Sequence, residues 1–159
     1  MDKRKLIDQI RIELEKDLEI LTEAAKASIE AATSEESKPE NQYDTRSLEA
    51  SYLARGQAKR IAEIKELLVV IKHVSVKDFG PEDKIAGTAL LEVEHNGKNS
   101  LLLMMTHGGG VNVTYEGKRI QIVTPSSPLG EALLDLREGD VAVVEQGDQV
   151  REYEILSVK

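Results

Sequence analysis

The side chains with the clearest capacity for chemistry are the carboxylates of a polar stretch in the first half of the chain. Between Ser28 and Thr45 there is one base, Lys38, and there are five acids: Glu30, Glu35, Glu36, Glu40 and Asp44. Carboxylates are hard oxygen ligands, and one or two of them can hold Mg²⁺ together with groups from a partner. Clustered acids also create a focused negative potential. The alternative interpretation is a solvated loop in which Asp44 caps the following helix.

Other residue types that serve catalysis are present without the neighbours that catalysis needs. His73, His95 and His107 show no metal-ligand spacing. The glycines at 108–110 precede a strand-like run and no Gly-Lys-Ser/Thr, so they predict a flexible connection and not a phosphate loop. Ser127 has no base nearby and fits a helix N-cap better than a nucleophile. Since there is no cysteine either, any catalytic role would complete a partner's site.

The overall composition limits the class of protein. The 159 residues include 21 Lys and Arg against 29 Asp and Glu, and the formal net charge of −8 disfavours a direct grip on nucleic-acid phosphates. Hydrophobic residues make up 40% of the chain, which is enough for a core in one domain or two small ones. No apolar run approaches the roughly 20 residues of a membrane span, and the first residues do not resemble a secretory signal. We therefore expect a cytoplasmic protein with no membrane partner.

Glycine usage divides the chain near residue 79. Ten of the eleven glycines lie beyond that position, and only Gly56 lies before it. Because a glycine destabilises a helix interior by roughly 1 kcal/mol and suits turns between strands, helices are predicted first and a sheet second. The predicted domains are 1–78 and 79–159.

Two apolar stripes predict two helices in the first domain. One stripe follows residues 4–32 in steps of three and four, and the other follows residues 48–71. The polar residues 34–42 between them include Pro39, which does not suit a helix interior, so the chain is predicted to reverse there. The stripes would pack together as an antiparallel coiled-coil hairpin with the acidic stretch at its tip.

The second domain alternates short β-rich runs with turn signals. Residues 88–94 and 100–106 flank Asn96-Gly97, which is a strong hairpin signal. Four further strands are predicted at 111–115, 119–123, 141–145 and 151–158. Residues 127–134 predict a short helix with Pro in its first turn. The predicted fold class is therefore α+β, with a helical hairpin followed by a small antiparallel β domain that contains one short helix.

The segment 122–159 combines several short motifs. It reads IVTPSSPLGEALLDLREGDVAVVEQGDQVREYEILSVK: a strand leads into Ser-Pro-Leu-Gly at 127–130, a short helix and Gly-Asp follow, and an R-x-Y-x-I strand begins at Arg151. This combination resembles the carboxy-terminal domain of the Gre transcription elongation factors. The first half is similar to the family's coiled-coil arm, and Glu-Asn-Gln-Tyr at 40–43 resembles its tip.

The resemblance implies a fold, a partner and a mechanism. The β domain would be FKBP-like and would dock on bacterial RNA polymerase at the rim of the secondary channel. The hairpin would enter the channel, where tip carboxylates help to hold a second Mg²⁺ beside the 3′ end of backtracked nascent RNA. The protein would have no cofactor of its own, because the Mg²⁺ is shared with the polymerase. It would act as a monomer that stimulates the polymerase's own RNA cleavage, in association with a DNA-bound complex, without being an enzyme.

The resemblance also implies roles for residues at the arm tip. Glu40 is the first choice for an assisting catalytic role, followed by Glu36 and Asp44 and then by Glu35. Glu40 and Asp44 are the predicted ligands of the shared Mg²⁺. The tip residues expected to orient these carboxylates are Asn41 and Tyr43.

The partner-binding residues implied by the resemblance are Ser126, Ser127, Pro128 and Leu129, which would form the polymerase-facing loop. The alternative is a simple strand-to-helix turn, which requires the same Ser and Pro.

Two positions depart from the family pattern. The family tip has an acid three residues before the Glu of its Glu-Asn pair, where this chain has Ser37. The family usually places Asp directly before Ser-Pro, where this chain has Ser126. These departures keep a second hypothesis open, namely a factor that occupies the channel and modulates or inhibits the polymerase without cleavage.

Two other classes of function are disfavoured. A prolyl isomerase is suggested only by the FKBP-like fold, and its pocket needs aromatic walls, whereas this chain has one Phe, four Tyr and no Trp. A dimer formed through the coiled coil would need an apolar surface on the outside of the hairpin. Both apolar stripes are already used inside the predicted hairpin, so little apolar surface remains for a second copy.

Overall fold

A computed structural model describes residues 1–33 and 46–159, and within these ranges the side chains at 32, 33, 46, 47 and 50 are left undescribed. The chain divides into two compact units. One consists of Met1–Ile10 together with Val70–Lys159, and the other is Arg11–Val69. The domain boundary between residues 78 and 79 stays a prediction drawn from composition.

Both predicted long helices are confirmed. Helix α1 spans Lys3–Thr33 and helix α2 spans Arg46–His73. The Asp2 carboxylate precedes α1, and its Oδ1 accepts hydrogen bonds from the backbone N–H groups of Arg4 at 3.0 Å and Lys5 at 3.3 Å. Among the described residues, no helix combines the length and apolar character that a bilayer crossing requires. The antiparallel pairing of α1 and α2 stays a prediction, because the connection between them lies outside the described residues.

In the unit of residues 11–69, burial follows the apolar stripes over only part of their length. Leu14 on α1 and Ile64 on α2 are nearly inaccessible to solvent, and Leu67 is buried beside Ile64 along the helix. Leu48 and Tyr52, which the pattern placed on the same stripe, are instead exposed. The periodic pattern therefore identified the helices correctly but overestimated how far their buried seam extends.

Six strands form one sheet in the other unit. They are β1 (Leu90–His95), β2 (Lys98–Met104), β3 (Asn112–Tyr115), β4 (Lys118–Val123), β5 (Val141–Gln146) and β6 (Gln149–Val158). Their order across the sheet is β3-β4-β2-β1-β6-β5. The short helix α3, at Pro128–Leu133, follows β4 in the chain. These elements confirm the α+β class with one short helix in the β domain.

The sheet is mixed, so the prediction of an antiparallel β domain is wrong at one pair of strands. β2 and β4 run parallel, with Leu101 beside Ile120 and Met104 beside Val123. The reason is the connection after β2, which carries β3 past one strand position. The β3–β4 hairpin then folds back and places β4 between β2 and β3, in the same direction as β2.

Tight turns close the hairpins as the dipeptide signals predict. Asn96 and Gly97 connect β1 to β2 with φ of 51° and 75°. Glu116 and Gly117 connect β3 to β4 with φ of 50° and 73°. Two consecutive positive φ angles are typical of the two-residue turns that match the twist of antiparallel strands.

The central strands are buried on both faces of the sheet. On β2, Leu102 and Met104 belong to a core cluster that also contains Leu133 of α3. Leu103 points to the opposite face and is also fully buried, as is Leu6 in the first turns of α1. The continuous apolar run of β2 follows from this arrangement, because a strand covered on both faces has no polar side to alternate with.

Lys3 connects distant parts of the chain within this unit. Its buried ammonium donates hydrogen bonds to the carbonyl oxygens of Lys77, of Thr88 at 3.1 Å and of Lys159 at 2.8 Å. The Nζ atom also lies 4.8 Å from the centroid of the Phe79 ring. Burial lowers the pKa of Lys3, and the negative charge of Asp78 opposes part of that effect.

Candidate functional site

The predicted polymerase-facing loop lies between β4 and α3, and its four residues form one short turn. Ser126 and Pro128 are exposed, whereas Ser127 and Leu129 are half-buried. Ser127 is the N-cap of α3, with the extended backbone angles φ −81° and ψ 151°, and Pro128 occupies the first position of the helix. The predicted N-cap is therefore confirmed, and Ser126 and Pro128 are the loop residues that a partner could reach most directly.

The Ser127 hydroxyl is fully engaged within the loop. Its Oγ accepts a hydrogen bond from the Gly130 N–H at 3.1 Å and donates one to the Thr124 carbonyl oxygen at 2.8 Å. The Ser127 N–H donates to the same carbonyl at 2.9 Å, and the Ser127 carbonyl accepts from the Glu131 N–H at 2.8 Å. Because the hydroxyl proton and an oxygen lone pair are both used, the role that the structure supports for Ser127 is capping and bracing the turn.

Gly130 is required by a close approach of two backbone segments. A β carbon at this position would lie 1.8 Å from the Thr124 carbonyl oxygen and 2.6 Å from its carbon. Leu129, the residue before it, packs against the core cluster of the sheet and α3. Three residues of the Ser-Pro-Leu-Gly motif therefore have a structural explanation, which supports the turn interpretation for Ser127, Leu129 and Gly130.

The triple-glycine segment adjoins this loop through Thr124. A β carbon at Gly109 would lie 3.1 Å from Thr124 Oγ1, and that hydroxyl is also 3.1 Å from Ser126 Oγ. The Gly110 N–H donates to the Ile122 carbonyl at 2.9 Å, which holds the segment against β4. The sequence predicts only a flexible connection for these glycines. No local signal could have shown the contact, because Gly109 and Thr124 are far apart in sequence.

The predicted metal-supporting carboxylates of Glu35, Glu36, Glu40 and Asp44 lie outside the described residues. The other tip residues that the sequence singled out, Ser37, Asn41 and Tyr43, also lie outside them. Across residues 1–33 and 46–159, no group of three or more His, Asp or Glu side chains could hold a metal ion. Support of a shared Mg²⁺ by the arm tip therefore stays a prediction.

His95 has a defined structural environment at the end of β1. Its Nδ1 lies 2.7 Å from the Glu152 carbonyl oxygen, and its ring stacks on that of Tyr153 with centroids 4.6 Å apart. A carbonyl oxygen can only accept, so Nδ1 carries the proton and Nε2 accepts from the Asn96 amide at 3.0 Å. These contacts account for His95 as a structural residue of the β1–β6 pair.

Residues 113–159 match the sequence model of a known family, described as transcription elongation factor GreA/GreB, C-terminal domain. The matched range contains the Ser-Pro-Leu-Gly loop, α3 and the final hairpin. The match confirms, for this range, the resemblance seen in the sequence: residues 113–159 are similar to the carboxy-terminal domain of GreA/GreB factors.

Among individual relatives, the chain is similar to transcription elongation factor GreA of Methylococcus capsulatus. The two are 31% identical over 100 residues, which cover 63% of this chain and 61% of the relative. The alignment therefore spans about three fifths of the length of the relative.

Two solved structures of Gfh1 proteins are among the matches to this chain. The GreA factor homolog 1 (Gfh1) of Thermus thermophilus is 18% identical, with 94% of each chain covered and a TM-score of 0.38. Thermus aquaticus Gfh1 is 23% identical, with 92% of this chain and 91% of the other covered and a TM-score of 0.38. The resemblance to Gre factors accordingly rests on the two sequence matches.

Proposed function

We propose that this protein binds bacterial RNA polymerase at its secondary channel and stimulates cleavage of backtracked transcripts. The observation that carries the proposal is the match of residues 113–159 to the GreA/GreB carboxy-terminal domain. The protein would be an accessory factor that lends groups to the polymerase, and the polymerase would cut the RNA. Its net charge of −8 suits this role, since its contacts would be to protein and metal and not to phosphates.

The loop before α3 would be the docking element. Ser126 and Pro128 are exposed there, and the bonds of Ser127 to Thr124 and Gly130 hold them in place. A contact surface that is ordered before binding loses less conformational entropy on association. With Ser126 in place of the Asp usual in the family, docking through this loop would depend on shape and neutral hydrogen bonds.

The arm tip would be the catalytic element. Glu40, with Glu36 and Asp44, would bring carboxylate oxygens to the polymerase, and Glu40 and Asp44 would be the ligands of the shared ion. Oxygen ligands of this kind are those that Mg²⁺ prefers. When bound, the second Mg²⁺ supplies activation of a water and stabilisation of the leaving oxygen.

RNA shortening in a defined backtracked polymerase complex tests the cleavage proposal. We expect the intact protein to shorten the RNA in the presence of Mg²⁺ and Glu40→Gln to reduce the rate by roughly tenfold or more, because a metal ligand is lost at unchanged size. Glu30→Gln is the matched control, since it removes a nearby carboxylate that is not assigned to the metal. If Glu40→Gln, Glu36→Gln and Asp44→Asn all cleave at the normal rate, the metal mechanism is wrong.

Binding of loop variants to polymerase tests docking separately from cleavage. We expect Ser126→Arg to weaken binding, because a long charged side chain would cover the exposed part of the loop. Thr114→Arg introduces the same group at an exposed position of β3 and serves as the control. Equal binding of both variants would show that the loop does not dock.

A channel-binding factor without cleavage activity is the second candidate. The observation that favours it is Ser37, which replaces an acid of the family tip. In that case the intact protein would bind the backtracked complex and compete for the channel while leaving the RNA uncut. Ser37→Asp would then be the informative variant, since gain of cleavage would identify the missing carboxylate.

A further inference from the structure

The two edges of the sheet differ in how they are protected. β3 forms one edge and has only four residues, with uncharged polar side chains exposed at Asn112 and Thr114. β5 forms the other edge and has six residues, with exposed valines at Val141 and Val143. Proteins usually blunt an edge strand by making it short or by placing lysine or proline on it. β5 is not short and carries no lysine or proline; its one charged side chain is Glu145, and α3 packs against β5 in the core cluster that joins Leu133 and Ala142.

The backbone of β5 has hydrogen-bonding groups that point away from the sheet. The Ile155 N–H donates to the Asp140 carbonyl at 2.9 Å, which fixes the phase of the β5–β6 ladder. Peptide groups alternate in an antiparallel pair, so Ala142 and Val144 bond to β6 while Val141, Val143 and Glu145 direct theirs outward. The outer edge of β5 can therefore accept another strand.

Apolar side chains from both strands of this hairpin share one solvent-facing surface. Val141 and Val143 are 48% and 47% exposed, and Val150 of β6 is 61% exposed. Val150 lies opposite Glu145, so all three valines lie on the same face by the alternation of the strands. The other face of β5 is the buried one, where Ala142 joins the core cluster.

Carboxylates surround these valines. Glu154 lies opposite Val141, Glu152 lies opposite Val143, and Glu94 of β1 pairs with Glu154 on the far side. Residues of this group line a shallow surface groove; they are Glu94, Val141, Val150, Glu152 and Glu154. Arg151 also lines the groove, and its Nη2 donates to Gln149 Oε1 at 3.1 Å.

These side chains together form the β5 face, which consists of Val141, Val143, Glu145, Val150, Glu152, Glu154 and Glu94. We propose that the β5 face binds an extended segment of a protein partner in which basic and apolar side chains alternate, and that this segment adds to the sheet as a strand beside β5. The outward peptide groups supply the backbone hydrogen bonds, and every second side chain of the segment would lie on the same face as the groove lined by Val141, Val150, Glu152 and Glu154. Complementary charge selects a basic segment over a neutral or acidic one.

The same charges disfavour a second copy of this chain as the occupant. Two copies paired edge to edge through β5 would bring Glu145, Glu152 and Glu154 of both copies onto one continuous face of the joined sheet. The added negative charge on that face would oppose the association. The partner segment is therefore expected to come from a different, basic protein surface.

A fluorescent peptide of the sequence Thr-Lys-Val-Lys-Val-Lys-Val, in which basic and apolar side chains alternate, is a direct probe of this site. We expect saturable binding to the full chain by fluorescence anisotropy, with affinity that falls as salt increases because exposed charges are screened. The same peptide with Glu in place of Lys is the control and should not bind at the same concentrations. Amide hydrogen exchange followed by NMR should slow at Val143 and Glu145 when the basic peptide is present.

Variants of the edge locate the binding. Val143→Pro removes an outward N–H and should lower the affinity for the peptide at least about tenfold, because proline cannot donate a hydrogen bond to an added strand. Val143→Lys should weaken peptide binding to a similar extent, because the new lysine repels the basic side chains of the peptide. Thr114→Lys, on the opposite edge, should leave peptide binding unchanged. Glu152→Gln together with Glu154→Gln should weaken binding and flatten its salt dependence. The NMR spectrum of each free variant checks that the sheet is retained.

Three results would overturn the proposal. The first is equal affinity for the basic and acidic peptides. The second is slowed exchange at β3 with none at Val143 and Glu145. The third is a stable dimer of the free chain that Val143→Lys dissociates, since this would make a second copy the occupant of the β5 face.

Discussion

At the residue scale, one contact decides the shape of the candidate docking loop. Gly130 approaches the Thr124 carbonyl so closely that no side chain fits between them. Ser127 then braces the same carbonyl through its hydroxyl at 2.8 Å and caps α3. The Ser-Pro-Leu-Gly motif was recognisable in the sequence, but the reason for its glycine required a neighbour six residues earlier in the chain.

Gly130→Ala is expected to lower the free energy of unfolding by about 2 kcal/mol or more, because the β carbon would force apart two backbone segments. Urea denaturation of the full chain measures this change. Gly87→Ala, in open space within the same unit, is the control and should have little effect. Equal stability of the two variants would contradict the close approach.

Ser127→Ala is expected to cost about 1 kcal/mol of stability, since the α3 N-cap is lost. The Thr124 carbonyl would keep its bond from the residue 127 N–H but lose the one from the hydroxyl. Thermal or urea unfolding measures the loss, with exposed Ser126→Ala as comparison. A larger cost for Ser126→Ala than for Ser127→Ala would reverse the roles assigned to the two serines.

At the element scale, local pattern identified helices and strands better than it identified their partners. The steps of three and four predicted α1 and α2, and Asn96-Gly97 predicted the β1–β2 turn, because both signals arise from residues close in sequence. The parallel β2–β4 pair was missed. Strand direction there depends on where the β3–β4 hairpin inserts, which no turn residue specifies.

Gly56→Ala is expected to stabilise the protein by up to about 1 kcal/mol, because Gly56 lies within α2 and alanine is the better helix former. A β carbon at Gly56 would meet no atom within 4 Å, so no steric cost offsets the gain. Helical circular dichroism during thermal unfolding gives the measurement. A decrease in the melting temperature would mean that this position requires glycine for another reason.

At the scale of the whole molecule, Lys3 forms hydrogen bonds to segments that are distant in sequence within the unit that contains the sheet. Its ammonium bonds to Lys77, Thr88 and Lys159, which come from the segment after α2, the approach to β1 and the segment after β6. Nothing in the sequence distinguished Lys3 from the other basic residues near it. Lys3 is buried because it contacts residues more than seventy positions away in the chain, and these contacts exist only in the folded structure.

Lys3→Met is expected to lower the free energy of unfolding by about 2 kcal/mol or more, because three carbonyl oxygens, including that of buried Thr88, would lose a charged donor. Lys5→Met is the control, since Lys5 is exposed on the same helix turn. Urea denaturation near neutral pH compares the two variants. A Lys3→Met variant as stable as the native chain would show that these contacts contribute nothing net.

The pH dependence of stability provides a second test of Lys3. Burial lowers the pKa of Lys3 below its ordinary value of 10.5, so between the folded and unfolded pKa values the unfolded chain binds more protons. The free energy of unfolding should therefore rise with pH through that window, up to about pH 10.5. Urea midpoints of the native chain relative to Lys3→Met should show this rise. An unchanged difference across the window would contradict it.

The sequence by itself determined the α+β class, the two long helices, the hairpin turns, the N-cap of α3 and the resemblance to Gre factors. Each of these depends on residues within a few positions of one another, where helix period, glycine placement and capping act directly. Only the tertiary structure decided the parallel β2–β4 pair, the contact of Gly109 with Thr124, the buried bonds of Lys3 and the open edge at β5. These features join residues far apart in the chain, and their positions follow from the packing of whole elements and not from local preference.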